Sequence, residues 1–372
     1  MNGLLLCTPE CNFRCKYCFE ETMHCGTMKP VKEIRADFNS FLDRYFRKFL
    51  EELIEINSSL GRKETDITFH GGEPLLIGPE LLEKACEIVK SYPNTTMGMQ
   101  TNSSLINDEF LRILKKYDIK IGTSIDGPKY MHDAHRVNMG GEGTFQQVFD
   151  GIMKMKKAGI TVGALATVTD VTIQSPEDFY GFFKENKLDF SFNPCFTDPN
   201  LPKSYKPLDI NDYIRFARRM FDLYINDKES NISITCFDRI ISAMCVKKQV
   251  YMEVCSYLPD CSRTTVAISP QGNFYRCLHY CMDEKHCIGN IANDSLSLAL
   301  GDKDFGKRCK FLFNGECKNC DIQEYCNGGC PYVAEAINGT IFSRSNTCVC
   351  QKDIVHYIYN YFNGFCNGGE IE

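Results

Sequence analysis

Between residues 3 and 227 short apolar runs alternate with longer amphipathic ones, and that rhythm admits few folds. The runs "GLLLC" (3–7), "DITFH" (66–70), "TMGMQ" (96–100), "KIGTSI" (120–125), "TVGALATV" (161–168) and "DFSFNPC" (189–195) read as strands. Apolar residues at helical spacing fill 31–57, 79–91, 107–117, 144–158, 176–186 and 210–227. Strands that alternate with helices pair in parallel through crossovers and are buried on both faces. The sequence therefore predicts an α/β fold with six strands in an open, partial (β/α)6 TIM-like barrel. In parallel α/β architectures the ligand sits at the carboxyl ends of the strands, where the unusual residues of this chain fall.

Cysteine is the second constraint. Of 22 cysteines, five lie in residues 1–25, two between 26 and 235, and fifteen from Cys236 onward. The start "MNGLLLCTPE" lacks the charged region and length of a signal peptide, and no apolar run approaches the ~18 residues of a membrane span. A cytoplasmic protein is expected, and in that compartment thiols serve as metal ligands or catalysts more often than as disulfides. The net charge of −6 and the lack of long like-charge runs leave no nucleic-acid footprint. From Cys236 the helix-and-strand alternation is expected to stop. Only "TTVAISPQGNFYRC" (264–277) reads as a hairpin, and bound metal would supply what a small core cannot. Two domains follow, 1–235 and 236–372.

The segment "ECNFRCKYCFE" spaces Cys11, Cys15 and Cys18 as C-x3-C-x2-C. Tetrahedral metals and cubane clusters usually take four thiolates. Three thiolates hold a four-iron cluster by three irons and leave the fourth open to a non-protein ligand; a zinc loop completed by Cys7 or Cys25 is the alternative. Three more segments mark the ends of successive strands, "HGGEP" (70–74), "QTN" (100–102) and "TSIDGP" (123–128), and "HDAHR" (132–136) follows the last of them. Glycines there allow close backbone approach, and Glu73 can receive an ammonium.

Together these motifs resemble the radical S-adenosylmethionine (radical SAM) superfamily, whose open iron is chelated by the methionine part of SAM. The resemblance implies that Tyr17 flanks the cluster and that Gly72 and Glu73 bind the amino group of SAM. Ser124 and Arg136 would also hold SAM, and Phe196, in "NPCFTDP", would pack on the adenine. Toward the C-terminus, Cys261, Gly272 and Cys277, then Cys317-x2-Cys320-x5-Cys326-x3-Cys330, then Cys348, match the SPASM pattern of radical SAM enzymes. That pattern implies a cysteine-rich SPASM domain with two auxiliary clusters, one on Cys255, Cys261, Cys277 and Cys330 and the other on Cys317, Cys320, Cys326 and Cys348. The cofactors implied are thus three [4Fe-4S] clusters and SAM. Cys281, Cys287, Cys309 and Cys350 stay unassigned, and a pair of four-cysteine zinc sites is the alternative for this half.

The resemblance is to anaerobic sulfatase-maturating enzymes and to maturases of ribosomal peptides. It implies an oxidoreductase that cleaves SAM reductively and uses the 5′-deoxyadenosyl radical to take hydrogen from a peptide, giving an oxidative modification such as a thioether. One departure separates the branches. Sulfatase maturases follow the cysteine matching Cys277 with an aspartate taken to accept the substrate's proton; here Leu278 stands there, and leucine is no base. His279, Tyr280 and Asp283 are the nearby substitutes. Peptide maturation is the first expectation, formylglycine formation in a sulfatase the second, and a non-catalytic iron–sulfur electron carrier the third. Expected partners are a peptide or protein substrate and an electron donor such as flavodoxin or ferredoxin, with no nucleic acid and no membrane. With ten residues before Cys11, leader recognition is expected from a separate protein or from the barrel and SPASM surfaces.

Overall fold

The structure, a computed structural model, describes residues 1–18, 28–195, 205–245, 261, 264–281, 283–301, 304–323, 325–326 and 328–367. Strand β1 (Asn2–Leu6) leads into helix α1 (Val31–Phe41), which continues through a π-helical turn, Leu42–Phe46, into α2 (Arg47–Ser59). Then come β2 (Thr65–His70), α3 (Pro79–Lys90), β3 (Thr95–Thr101), α4 (Asp108–Lys116), β4 (Lys120–Ser124), α5 (Lys129–His135), α6 (Phe145–Lys157), β5 (Val162–Val168), α7 (Pro176–Glu185), β6 (Phe190–Pro194), α8 (Ile210–Asn226) and α9 (Thr235–Cys245). The C-terminal part adds β7 (Thr265–Ile268), β8 (Asn273–Tyr275), β9 (Gly289–Asn290), α10 (Leu296–Ala299), α11 (Asp304–Asn314), α12 (Pro331–Asn338) and α13 (Cys348–Asn367).

The six strands β1 to β6 pair in parallel in sequence order, each strand beside the next. Residues of β2, β3 and β5 alternate between full and partial burial, as the period of two requires. Helix starts follow local chemistry: Asn107 accepts from the Phe110 N–H at 3.0 Å to open α4, and Asp209 accepts from Asn211 and Asp212 to open α8. Two cores result. One joins α1 to α4 with the first strands through Phe38, Phe46, Phe49 and Phe69. The other gathers Phe179, Phe183, Phe190 and Phe216 under α7 and α8, with the Phe183 and Phe190 rings stacked at 4.1 Å. Among the described residues no helix is long and apolar enough to cross a membrane.

Among the described residues the strand-and-helix alternation ends after β6, as expected of the stretch from Cys236, but the sheet continues beyond it. The 264–277 hairpin forms as β7 and β8, but β7 also pairs in parallel with β1, so one nine-stranded sheet runs through both parts of the chain. Val266, Ile268 and Phe274 are buried in the first core, where Phe274 meets Phe49 at 6.3 Å between ring centroids. Helix α9 packs on β6, and α13 packs on α8 and α9 through Ile354, Val355 and Ile358. Apolar positions 354, 355 and 358 carry helical spacing within a cysteine- and tyrosine-rich stretch, which hid it.

Candidate active site

The loop after β1 is stitched to its neighbours by backbone bonds. The Cys7 N–H donates to the His70 carbonyl at 2.8 Å, Gly72 to Thr8 at 2.9 Å, and Glu73 to Glu10 at 2.9 Å. On the other side Arg14 donates to Val137 and Lys16 to His135. Contact with the "HGGEP" turn is so close that a Cβ on Gly71 would lie 2.3 Å from the Thr8 carbonyl oxygen, and one on Gly72 2.3 Å from that of Glu10. Both obstacles are backbone, so only glycine fits.

This stitching places Cys11, Cys15 and Cys18, all half-buried, on a shared loop at the carboxyl end of the sheet. Burial lifts the Cys11 thiol well above its usual pKa, and Glu73 and then the other two thiols lift it further, so the three lie within electrostatic reach of one another. Cys7 is not among them. It is fully buried in the first core with Cys86, which removes it as the fourth member of a zinc loop; Cys25 lies outside the described residues.

Glu73 is fully buried at the end of β2. Its Oε1 accepts from Leu75 N–H at 3.0 Å and from Thr101 Oγ1 at 2.6 Å, and its Oε2 from Asn102 N–H at 2.8 Å. Burial pushes its pKa up to about 7 despite these donors. Asn102 continues the connection, donating to Asn12 Oδ1 at 2.9 Å beside Cys11. After β4, Asp126 is 1% exposed and accepts from Arg136 Nε at 2.9 Å, Arg136 Nη2 at 3.1 Å, Thr167 N–H at 2.8 Å and the Tyr17 hydroxyl. Burial would raise its carboxyl, but Arg136 and then His132 hold it below the usual carboxylate range. The Arg136 guanidinium lies 5.4 Å from the Tyr17 ring. Ser124 Oγ accepts from Gln100 Nε2 at 3.1 Å.

Glu73 and Ser124 thus stand at the carboxyl ends of β2 and β4, Tyr17 and Arg136 meet on Asp126 just past β4, and Gly72 lies against the loop after β1. Phe196 and Cys255 lie outside the described residues. Sequence reasoning did not single out Asp126, which fixes both Tyr17 and Arg136; an acid at a strand end within "SIDGP" was its signal. Nor did it single out His135, whose Nε2 pairs with Asp170 at 2.8 Å while its buried Nδ1 has no partner among the described residues. Three half-buried thiols within electrostatic reach of one another and a buried carboxylate nearby make a donor set that fits a thiolate-held cluster with an amino-acid-like ligand.

In the C-terminal part, Cys317, Cys320, Cys326 and Cys348 lie within electrostatic reach of one another. Cys277 and Cys330 border a separate small core of Leu6, Ala267, Tyr275, Tyr280 and Tyr332, which also takes in Cys281 and Cys287. Among the described residues no three His, Cys, Asp or Glu close to the distances of a single bound metal ion. Cys350 is buried against the second core, and Cys309 sits on α11. Leu278 opens a 3₁₀ turn, Leu278–Tyr280, and packs against the small core. Of the three substitute bases, Tyr280 donates to Glu335 at 2.7 Å, and Asp283 caps the next turn and pairs with His286 at 2.8 Å. His279 stacks on Tyr332 at 4.6 Å and lies near enough to His70 to depress its pKa, which burial brings down to about 4.

The Radical SAM superfamily model matches residues 5–183. A cysteine-type anaerobic sulfatase-maturating enzyme of Clostridium novyi is 27% identical over 368 residues, covering 95% of this chain and 94% of that one. A serine-type anaerobic sulfatase-maturating enzyme of Bacteroides thetaiotaomicron is 28% identical over 344 residues, covering 86% and 80%. The fold matches native anSMEcpe with bound AdoMet at a TM-score of 0.80, 23% identity and 99% of each chain. It matches Streptococcus suis SuiB bound to S-adenosylmethionine at 0.63, 19% identity, and 93% and 76%. A radical SAM domain implies SAM and a [4Fe-4S] cluster as cofactors. The strands that carry the three-cysteine loop thus form a radical SAM domain.

Proposed function

We propose that the chain is a radical SAM maturase that oxidises a side chain of a peptide substrate, with thioether formation as the preferred outcome. Cys11, Cys15 and Cys18 hold the SAM-binding cluster, and the other two clusters sit on the C-terminal cysteine sets, with Cys255 completing the first. When bound, SAM and its cluster would supply the radical chemistry that removes one hydrogen atom from the substrate, and the C-terminal clusters would accept the second electron as the substrate's thiol proton leaves and the carbon–sulfur bond forms. The chain's own work is positional. Glu73 receives the SAM ammonium while Thr101 and Asn102 hold its carboxylate in place; Asp126 aims Arg136 toward the SAM carboxylate beside Ser124, and Tyr17 is fixed in turn. A flavodoxin- or ferredoxin-like donor supplies the electron.

Leu278 carries the choice of substrate chemistry. Where sulfatase maturases place an aspartate, a hydrocarbon packs into a small apolar core, and Tyr280 and Asp283 are engaged elsewhere. Sulfatase maturation is the second reading, favoured by likeness along almost the whole chain to cysteine-type and serine-type sulfatase maturases. A peptide containing C-x-P-x-R separates the two. The wild-type protein should cleave SAM yet convert that cysteine to formylglycine slowly, since general-base assistance is worth about 10² to 10⁴ in rate. Leu278→Asp should raise formylglycine yield. Formylglycine formed by the wild type as fast as SAM is cleaved would make His279 the acting base and reverse the order of the two readings.

A further inference from the structure

The sequence "CNGGCP" (326–331) holds two cysteines around two glycines, and the structure shows why both glycines are needed. Gly328 and Gly329 have φ of +84° and +72°, the left-handed region. A Cβ on Gly328 would lie 2.3 Å from Leu312 Cδ1, and one on Gly329 2.7 Å from Ser345 Cβ. In this conformation the Gly328 and Gly329 N–H groups lie close enough to the Cys326 thiol to lower its pKa against burial, which still pushes it up to about 11. Successive N–H groups of this kind form a concave, electropositive nest.

Behind the nest stands Arg308 of α11, 3% exposed. Its Nη2 donates to the Gly328 carbonyl at 2.8 Å and to that of Ser343 at 3.0 Å. Its Nη1 donates to the Gly329 carbonyl at 3.1 Å, and its Nε to that of Ile341 at 2.5 Å. The peptide between Gly328 and Gly329 thus has its oxygen bonded to a guanidinium, while its N–H lies near enough to the Cys326 sulfur to lower the thiol's pKa. Hydrogen bonds in a chain polarise one another, and a cationic donor at the far end strengthens the N–H toward the thiolate. The same charge acts on Cys309, Cys261, Cys330 and Cys317, and so on members of both C-terminal cysteine sets.

We propose that Arg308 is a positioning residue that raises the reduction potential of the iron–sulfur group on Cys317, Cys320, Cys326 and Cys348, acting through the Gly328–Gly329 peptide and through its own charge. The proposal rests on the reading of that set as cluster ligands. Reduction adds one electron to the cluster and neither makes nor breaks a bond. The added negative charge is stabilised by a nearby cation and by N–H donors on the sulfurs, both of which raise cluster potentials. Lysine keeps the charge but not the planar fork that reaches both glycine carbonyls, so Arg308→Lys should fall between wild type and Arg308→Gln.

The test is a potentiometric titration with dithionite, followed by electron paramagnetic resonance, on anaerobically reconstituted full-length wild type, Arg308→Lys and Arg308→Gln, with iron counted in each. Arg308→Gln should reduce at a potential lower by about 59 mV or more, a tenfold change in the one-electron equilibrium constant. Arg308→Lys should shift the same way by less. Full iron with an unshifted potential in Arg308→Gln would overturn the proposal. Should Arg308→Gln lose its iron, Arg308→Lys decides: a full complement with the wild-type potential overturns it, and a lowered potential supports it. Wild type holding about four irons instead of about 12 would remove the cluster reading itself and the proposal with it.

Discussion

At the scale of single residues the site is built from buried charges that secure one another. Asp126 has no route to water and four donors: two from Arg136, one from the Thr167 backbone and one from Tyr17. Taking one partner from a buried ion pair costs far more than the pair contributes in net stability, because the remaining charge is left desolvated and uncompensated. Asp126→Ala should therefore destabilise the protein by about 3–5 kcal/mol and release both Tyr17 and Arg136. Urea denaturation of the anaerobic apoprotein measures it, and a loss below about 1 kcal/mol would mean that Arg136 finds another partner. Much of this was open to sequence reasoning: Glu73 and Arg136 stand in recognisable turns. Asp126 was hidden because its partners come from three segments far apart in the chain, and no spacing rule joins residues 17, 126 and 136.

At the scale of elements, α5 shows how a short helix serves the strand end before it. His132, at the middle of this helix, is fully buried, accepts from Asp126 N–H at 3.4 Å and pairs with Thr144 at 3.1 Å. Burial brings its pKa down from 6.5 to about 4. Between those values the unfolded chain takes up a proton that the folded chain refuses, so stability falls as pH drops through this window. The loss from His132 is roughly 3 kcal/mol once both values are passed. His132→Asn, which cannot titrate, should be less stable at pH 8 but close the gap as pH approaches 4; urea midpoints across that range that run parallel for the two proteins would refute it. The barrel elements themselves were legible, since each strand and long helix has an uninterrupted apolar period. Helix α5 was not, because "KYMHDAH" buries Met131, His132 and His135 and so shows no apolar stripe. Helices α9 and α13 were masked by cysteine and tyrosine, residues that suggest chemistry before they suggest packing.

At the scale of the whole molecule, one sheet joins the two cysteine-rich ends of the chain, and this raises the question of whether their sites stand or fall together. The packing argues for independence. Cys11 and Cys15 touch the second core only at its margin, and the loop that bears them is held by backbone bonds to Gly72, Glu73, Val137 and His135, which need no sulfur. The C-terminal thiols draw their order from other sources: Arg308 and the glycine nest, the turn bonds Cys320 N–H to Cys317 and Cys326 N–H to Ile322, and α13 packed on α8. Changing Cys11, Cys15 and Cys18 together to Ala removes three small, half-buried side chains and no core contact of consequence. That variant should fold, keep about eight of about 12 irons after anaerobic reconstitution, and form no 5′-deoxyadenosine from SAM. Cys326→Ala should behave in the opposite way, with lower solubility and less iron, because bound metal contributes folding free energy to the small C-terminal cores. Iron analysis and chromatographic assay of 5′-deoxyadenosine settle both. SAM cleavage surviving in the triple variant would move the reaction away from the loop after β1, and loss of all iron there would mean that the two ends fold as one unit.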